Sequence, residues 1–513
     1  MNKGVSSVFE DHFFDKRTST TYQVFRLMKA HAENNFTINR LTQESGLTYS
    51  QTYNANQEIM ADLQQMYPSK KQPNGNASFT ILVGQLTVDE YRFHLLNQSM
   101  AFRFFDYVFR TPAPNVHHFC ASADISISTL RRRIAPFRRY MASKGVHLDA
   151  STWAPDGPET QIRILILTFY LLAYRGVGWP FSEEAFDTAR RDFDLLNQPQ
   201  QGAVYNATAV PNKQDVMVLA IQAMRIAGGH LIRPAEQLPT LFSASDNAAK
   251  VFAPSRFPAL SEPALECERN YYDFCRMHYV SMRETLNGQD QLILDRLATP
   301  DTPIHNFAQG LMDFLLAACD PQSAEAKPEK HTVLLANLHR IAFSYLTLHG
   351  TFAMRLDFLN PQVQEAANGR LPTLIRQYFD QLEPAAVGEL AGDYDAMYQQ
   401  LYAVIAPDFP ELNNDHQLKV AVIVDEGTFM SRDLFTFLKG LHFVKIVPPD
   451  ASKLPDVIIT TLNTSGVLSR YYTEARLAKV RVINWQLAPA QSDFFNLMDT
   501  LYAVRLQVVA KKD

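Results

Sequence analysis

The chain has 513 residues, too many for one hydrophobic core, and about two to five domains is the expected division. Its 46% hydrophobic and 20% charged residues describe globular material, and the longest apolar run, ILILTFYLLAY at 164–174, is too short to span a bilayer, so no membrane partner is expected. The formal charge of −5 is uneven, because residues 1–150 hold 17 Lys and Arg against 12 Asp and Glu, a net of +5 that leaves −10 for the remainder. A cationic head on an acidic body suggests that only the head meets a polyanion.

MNKGVSSVFEDHFFDKR lacks the apolar stretch and cleavage site of a signal peptide, and four cysteines without metal-ligand spacing fit a reducing cytosol. A cytoplasmic protein without metal or other cofactor is therefore expected. Cys267 and Cys275, eight residues apart, are expected to be small buried apolar residues.

Residues 20–66 carry a helix-turn-helix pattern. TTYQVFRLMKAHAEN is helical, with Val24, Leu27, Met28 and His31 on one side. FTINRLTQESG is a short helix with Ile38 and Leu41 inward, stopped by Gly46. Thr48 precedes Gln51 by three residues, the spacing of a capping box. The helix it opens has Ala55, Ile59, Leu63 and Met66 as its seam. Ser50, Gln51 and Asn54 are then exposed near its start, where a recognition helix reaches bases. YPSKKQPNGNA, 67–77, is a polar turn before the strand candidate SFTILVGQL, a winged arrangement in which Lys70 and Lys71 could touch phosphate.

Residues 88–109 form two helices rich in Phe and Tyr, suited to a core. NVHHFCASA is a short helix and ADIS a turn, so a second helix-turn-helix spans about 115–144. His117 and His118 are adjacent, so a helix turns them apart and they make a poor metal pair. In SISTLRRRIAPFRRYMASKG, 126–145, Leu130, Ile134, Phe137 and Met141 recur at helical steps, and Ser126 or Ser128 can cap the start. Five arginines and a lysine accompany this seam without one acid. An apolar spine beneath a cationic face has the shape and sign of a major-groove reader. Arg131, Arg132 and Ser128 are the candidates for base edges, with Thr129 and Arg133 beside them, and Arg138, Arg139 and Lys144 for phosphates.

VHLDASTWAPDGPET, 146–160, is a domain boundary by composition, and from 160 to about 408 the chain is helical, as two bundles dividing near 285–295 at LNGQD, with DPQSAEAKPEK, 320–330, as a loop. His230, His278, His305, His331, His339 and His349 lie in those helical patterns and are expected to be structural, although imidazole can be phosphorylated. The last hundred residues alternate strands (418–425, HFVKIVP, DVIITTL, KVRVINW) with helices, the pattern of a small parallel sheet covered on both faces. The loop after its first strand, DEGTFMS, has no phosphate-binding motif and no cysteine, only the adjacent acids Asp425 and Glu426. No HExxH, GxSxG or Cys-His cluster occurs, and no enzyme is expected.

This arrangement resembles the Mga/AtxA family of virulence and stress regulators of Gram-positive bacteria. The best local match is ISISTLRRRIAPFRRYMASKGVHLD, 125–149, where Ser126, Ser128, Thr129, Leu130, Arg132, Gly145 and Leu148 take the places of the family's second module. LTQESGLTYSQTYNANQEIMADL is similar to the first module more loosely. The resemblance implies a winged helix-turn-helix domain over 1–80 and a second helix-turn-helix domain over 81–152. It further implies two phosphotransferase-system regulation domains (PRDs), 158–288 and 289–408, and a domain like the EIIB transport component, 415–510. It implies a transcription factor on double-stranded promoter DNA, a homodimer or higher homo-oligomer, modulated when phosphotransferase-system phosphocarrier proteins phosphorylate PRD histidines. His339 and His349 are the candidates. The EIIB cysteine is absent here, so that domain is expected to serve assembly or sensing. The rival readings are a phosphotransferase-system carrier or enzyme component, a PRD-type RNA-binding antiterminator and a purely structural interaction protein. The helical head and the missing cysteine count against the first two.

Overall fold

The computed structural model describes residues 8–509 apart from 31–36, 68–82, 197–212, 237, 239–245, 281–285, 287, 320–327, 359–369, 410–416, 425–431, 442, 451–452, 462–467, 469–470, 487–488 and 490. The described chain is mainly helical with a small parallel sheet towards its end, as expected. It packs as two units, Met1–Val280 with Arg340–Pro361, and Ser281–His339 with Gln362–Asp513. Among the described residues no helix is long and apolar enough to cross a membrane.

The first unit opens with a 3-10 turn, Phe9–His12, and the helices α1 (Lys16–Ala30), α2 (Ile38–Ser45) and α3 (Tyr49–Met66). After Thr87 come α4 (Val88–Gln98), α5 (Met100–Arg110), α6 (Val116–Ser122) and α7 (Ile127–Ser143). Most starts follow one rule, in which a short polar side chain accepts an amide proton that the helix leaves orphaned. Thr37, Thr48, Thr87, Ser99, Asn115 and Ser126 all do so. Ser99 both ends α4 and caps α5.

In α1 the buried residues are Thr21, Val24, Phe25 and Met28. Phe25 thus replaces the expected Leu27, which is only half-buried, because its ring stacks on Tyr91 of α4 at 4.1 Å. Ile38 is half-buried rather than inward. His31, Lys70 and Lys71 lie outside the described residues. So does most of the SFTILVGQL strand candidate, of which residues 83–85 are helical.

A two-strand hairpin follows α7, with β1 (His147–Leu148) antiparallel to β2 (Pro155–Asp156). Gly157 closes it, and a Cβ there would meet Gly145 O at 2.7 Å, so only glycine fits. The helix α8 (Glu159–Tyr174) is buried on nearly every side. Phe137 of α7 meets Phe13 at 5.1 Å, Phe105 at 4.7 Å and Phe169 of α8 at 5.6 Å between ring centroids. Phe9 joins the same cluster and touches Phe358 at 5.5 Å. Packing is therefore continuous across residues 146–160, where composition suggested a boundary.

The helices α9 (Glu183–Leu196), α10 (Lys213–Ala227), α11 (Asp246–Val251) and α12 (Glu262–His278) complete this unit with residues 340–358. Its buried charges are cross-paired. Arg163 bonds Glu268 at 2.6 and 3.0 Å and Glu159 at 2.8 Å, while Arg225 grips both Glu159 oxygens. Arg92 reaches Glu10 and donates to Leu172 O and Ala173 O at the end of α8. His278 Nδ1 lies 2.9 Å from Ser344 Oγ. Ser344 gives its single proton to Arg340 O, so Nδ1 must carry the ring proton. Cys275 is buried as expected and Cys267 half-buried, both as free thiols.

The second unit begins with α13 (Gly288–Leu297), α14 (Pro303–Ala318) and the first part of α15 (Pro328–Leu348), which continues into the first unit at Arg340. It goes on with α16 (Arg370–Asp380), α17 (Pro384–Val387) and α18 (Tyr394–Ile405). The α/β part contains β3 (Leu418–Ile423), α19 (Arg432–Gly440), β4 (Val444–Val447), β5 (Val457–Thr460), α20 (Glu474–Leu477), β6 (Arg481–Asn484) and α21 (Gln491–Val509). All four strands are parallel in the order β4-β3-β5-β6. Leu418, Val420, Val457 and Ile459 pack on one face with Leu434, Leu438, Leu497 and Leu501, while Ala421, Ile423 and Ile458 face Leu468 and Tyr472 on the other. This alternation within unbroken apolar runs is what a sheet covered on both faces requires. Asp425 and Glu426 lie outside the described residues.

Candidate nucleic-acid interface

The second helix-turn-helix is α6, a four-residue turn and α7. Asp124 takes a left-handed conformation (φ 51°) in the turn, and Ile125 N bonds Cys120 O at 3.0 Å. Ser126, of the two serines considered, caps α7 by accepting from Thr129 N at 3.1 Å. Leu130, Ile134, Phe137 and Met141 are all buried, the seam expected from their spacing. Pro136 sits inside the helix and removes the N–H that would bond Arg132 O. His117 and His118 are both exposed on α6.

Arg131, Arg132, Arg133, Arg138 and Arg139 are all exposed, but they point to different neighbours. Arg131 lies over the Trp153 ring of the hairpin, 5.5 Å from its centroid. Arg133 faces Asp15, whose carboxyl is held low chiefly by the Thr18 amide bond, with the Arg133 charge adding to it. His12 titrates below its ordinary value mainly through burial, and the nearby Arg139 charge pushes the same way. Arg132 and Arg139 are seven residues apart and return to nearly the same helix face. Ser128, four residues before Arg132, starts that face. Its hydroxyl and that of Thr129 each lie 3.0 Å from Ser126 Oγ, so both belong to the cap.

The expected phosphate contact at Lys144 falls on a side chain already engaged within the fold. Its ammonium is largely buried and bonds Asp357 at 3.1 Å, and Tyr140 OH donates to the same carboxylate at 2.8 Å. Taking Lys144 to DNA would leave a buried carboxylate short of a partner.

The hairpin behind α7 stands where a wing would. Asp149 closes its loop, accepting from the amides of Ser151 and Thr152 and from both hydroxyls at 2.6–2.9 Å. Those bonds hold the carboxyl far below the ordinary range, the Ser151 hydroxyl first among them. Trp153, at φ 62°, packs against Phe104 on one side and Arg131 on the other. The sequence placed a wing after the first module, and this one was missed.

In the first module Gly46, at φ 68°, makes the turn between α2 and α3. The capping box is present, with Gln51 Oε1 accepting from Thr48 N at 3.0 Å and from its hydroxyl at 2.9 Å. Ala55, Ile59 and Leu63 are buried, while Met66 is half-buried. Ser50, Gln51 and Asn54 are exposed, as expected. Sequence reasoning missed Tyr49 and Tyr53, 56% and 45% exposed, whose rings lie nearly parallel at 6.4 Å. A shallow groove beside α3 is lined by Lys16, Arg17 and Thr20 of α1 and by Gln51, Asn54 and Gln57.

The histidines sit elsewhere. His339 is fully buried, and its Nδ1 donates to Leu335 O at 2.8 Å. Burial lowers its pKa to about 4. The ring is thus enclosed in the folded chain. His349 is exposed, in a left-handed conformation (φ 50°) just past the end of α15. Among the described residues no group of three or more His, Cys, Asp or Glu is placed to hold a metal ion.

Residues 84–170 match the Mga helix-turn-helix domain. The match runs from just before α4 through most of α8, and so takes in α6, α7 and the hairpin. It supports a DNA-binding regulatory role for this part of the chain. No curated protein matches the chain.

Proposed function

We propose that this chain is a transcriptional regulator that binds double-stranded promoter DNA through both helix-turn-helix modules. The observation that carries the reading is the acid-free arginine face of α7, displayed within the stretch that matches the Mga helix-turn-helix domain. α7 enters the major groove with Ser128 and Arg132 towards base edges. Arg138 and Arg139 grip phosphates, with Arg131 and Arg133 at the flanks, and the Trp153 hairpin lies against the backbone. Ser50, Gln51 and Asn54 of α3 serve the first module. The two helical stretches, 158–288 and 289–408, act as PRD-like sensors and 415–510 as an EIIB-like assembly domain, in a homodimer or larger homo-oligomer. Phosphocarrier proteins of the phosphotransferase system modify an accessible histidine, and exposure favours His349 over His339.

The test is duplex binding by the full chain and by Arg132→Ala/Arg139→Ala across a salt series. Each lost phosphate contact should flatten the slope of log K against log salt by about 0.9. An unchanged affinity and slope would remove α7 from the interface. Incubation with phosphotransferase components should place acid-labile phosphate on wild type and not on His349→Ala, and equal labelling of both would sink that assignment.

A further inference from the structure

The two recognition helices carry opposite chemistry. α7 displays five exposed arginines, whereas α3, from Tyr49 to Met66, contains no Lys or Arg. Its two acids are already occupied within the fold. Glu58 is paired with Arg17 and accepts from Thr21 Oγ1 at 2.7 Å. Asp62 accepts from Tyr91 OH at 2.7 Å and Gln98 at 3.1 Å. What α3 presents outward near its start is therefore neutral: Ser50, Asn54 and Gln57, with the parallel rings of Tyr49 and Tyr53 along one edge. Two cations of this module, Lys16 and Arg17, line the groove from α1, and Arg17 is paired there with Glu58.

Base edges discriminate between such surfaces. Guanine offers two acceptors in the major groove and is met best by Arg or Lys, which α3 lacks. Adenine offers one donor and one acceptor, matched by an amide such as Asn54, and thymine adds a 5-methyl group that takes apolar contact. Two exposed tyrosine rings have little to gain from solvent, and a methyl group buries part of that surface.

Resting on the DNA-binding reading above, we propose that α3 reads A·T pairs, with Asn54 on adenine and Tyr49 and Tyr53 on thymine methyls, while α7 reads guanine. The chain's binding site then has two unlike parts, one per module.

The experiment selects duplexes from a random library with the full chain. The enriched duplex is then remade with deoxyuridine for every thymine, which removes only the methyl, or with 7-deazaguanine for every guanine. For wild type, deoxyuridine should weaken binding about three- to ten-fold, the worth of one or two buried methyls. Tyr49→Ala/Tyr53→Ala should lose that sensitivity and keep the deazaguanine penalty, and Arg132→Ala should do the reverse. Tyr49→Phe/Tyr53→Phe, which keeps both rings, should retain the methyl dependence. An equal deoxyuridine effect in wild type and the alanine variant, or none in either, overturns the assignment while leaving DNA binding intact. A library from which nothing is enriched overturns the DNA-binding reading itself.

Discussion

Single residues decide which cations of α7 are free to face outward. Lys144 and Arg139 look equivalent in the sequence, yet one is sealed against Asp357 and the other is exposed. The partner of Lys144 is 213 residues away, a pairing that no local spacing discloses. His278 shows what burial does to a titratable group. Enclosed among Phe274, Tyr279 and Phe352, it has its pKa lowered to about 3 by desolvation. The unfolded chain therefore binds a proton below about pH 6.5 that the folded chain refuses, and stability falls with pH through that window. Asp215 and Asp273, raised to about 6 by burial, oppose this, since they gain stability as pH drops below 6. The His278 contribution is isolated by comparison with His278→Asn. From pH 6.5 to 4.5 wild type should lose about 1.4 kcal/mol per pH unit more than the variant in denaturant titrations. Parallel pH profiles would show that His278 is not buried in neutral form.

At the scale of elements, caps and seams carried most of the information. Ser126→Ala should cost about 1 kcal/mol, because Thr129 N–H loses its acceptor, and a thermal melt reads this directly. An unshifted melting temperature would mean that Ser128 takes over the cap. The α7 seam, the Thr48 capping box and the parallel strands were legible because each is local: steps of three and four, a three-residue offset, an unbroken apolar run. The hairpin at 147–156 was not, since two-residue strands carry no alternation and its Asp149-centred loop has the composition of a linker. Phe25 and Leu27 show the remaining ambiguity. They flank the Val24–Met28 seam on opposite sides of the helix, and the position of Tyr91 selects Phe25.

At the scale of the molecule, the unit that holds both helix-turn-helix modules extends beyond residue 150. Its aromatic cluster joins Phe9, Phe137 and Phe169, and its ion network joins Glu159, Arg163, Arg225 and Glu268. A fragment ending at residue 152 loses Phe169, Phe358 and the carbonyl partners of Arg92. We expect it to show no cooperative thermal unfolding, whereas residues 1–361 should melt as one transition. A cooperative melt of the short fragment would refute this continuity. In the full chain Glu268→Ala should cost about 3–5 kcal/mol, because Arg163 would remain buried with half its partners.

The Phe358 ring, 4.6 Å from Tyr140 of α7 and 5.5 Å from Phe9, also bears on the order in which the chain is made. The arginine face leaves the ribosome early, but the ring that completes the support beneath it is translated 221 residues after Phe137, roughly 10–45 s later. The packing beneath α7 is thus completed only once residue 358 has been made. Until then α7 lacks part of the aromatic packing that holds it in place.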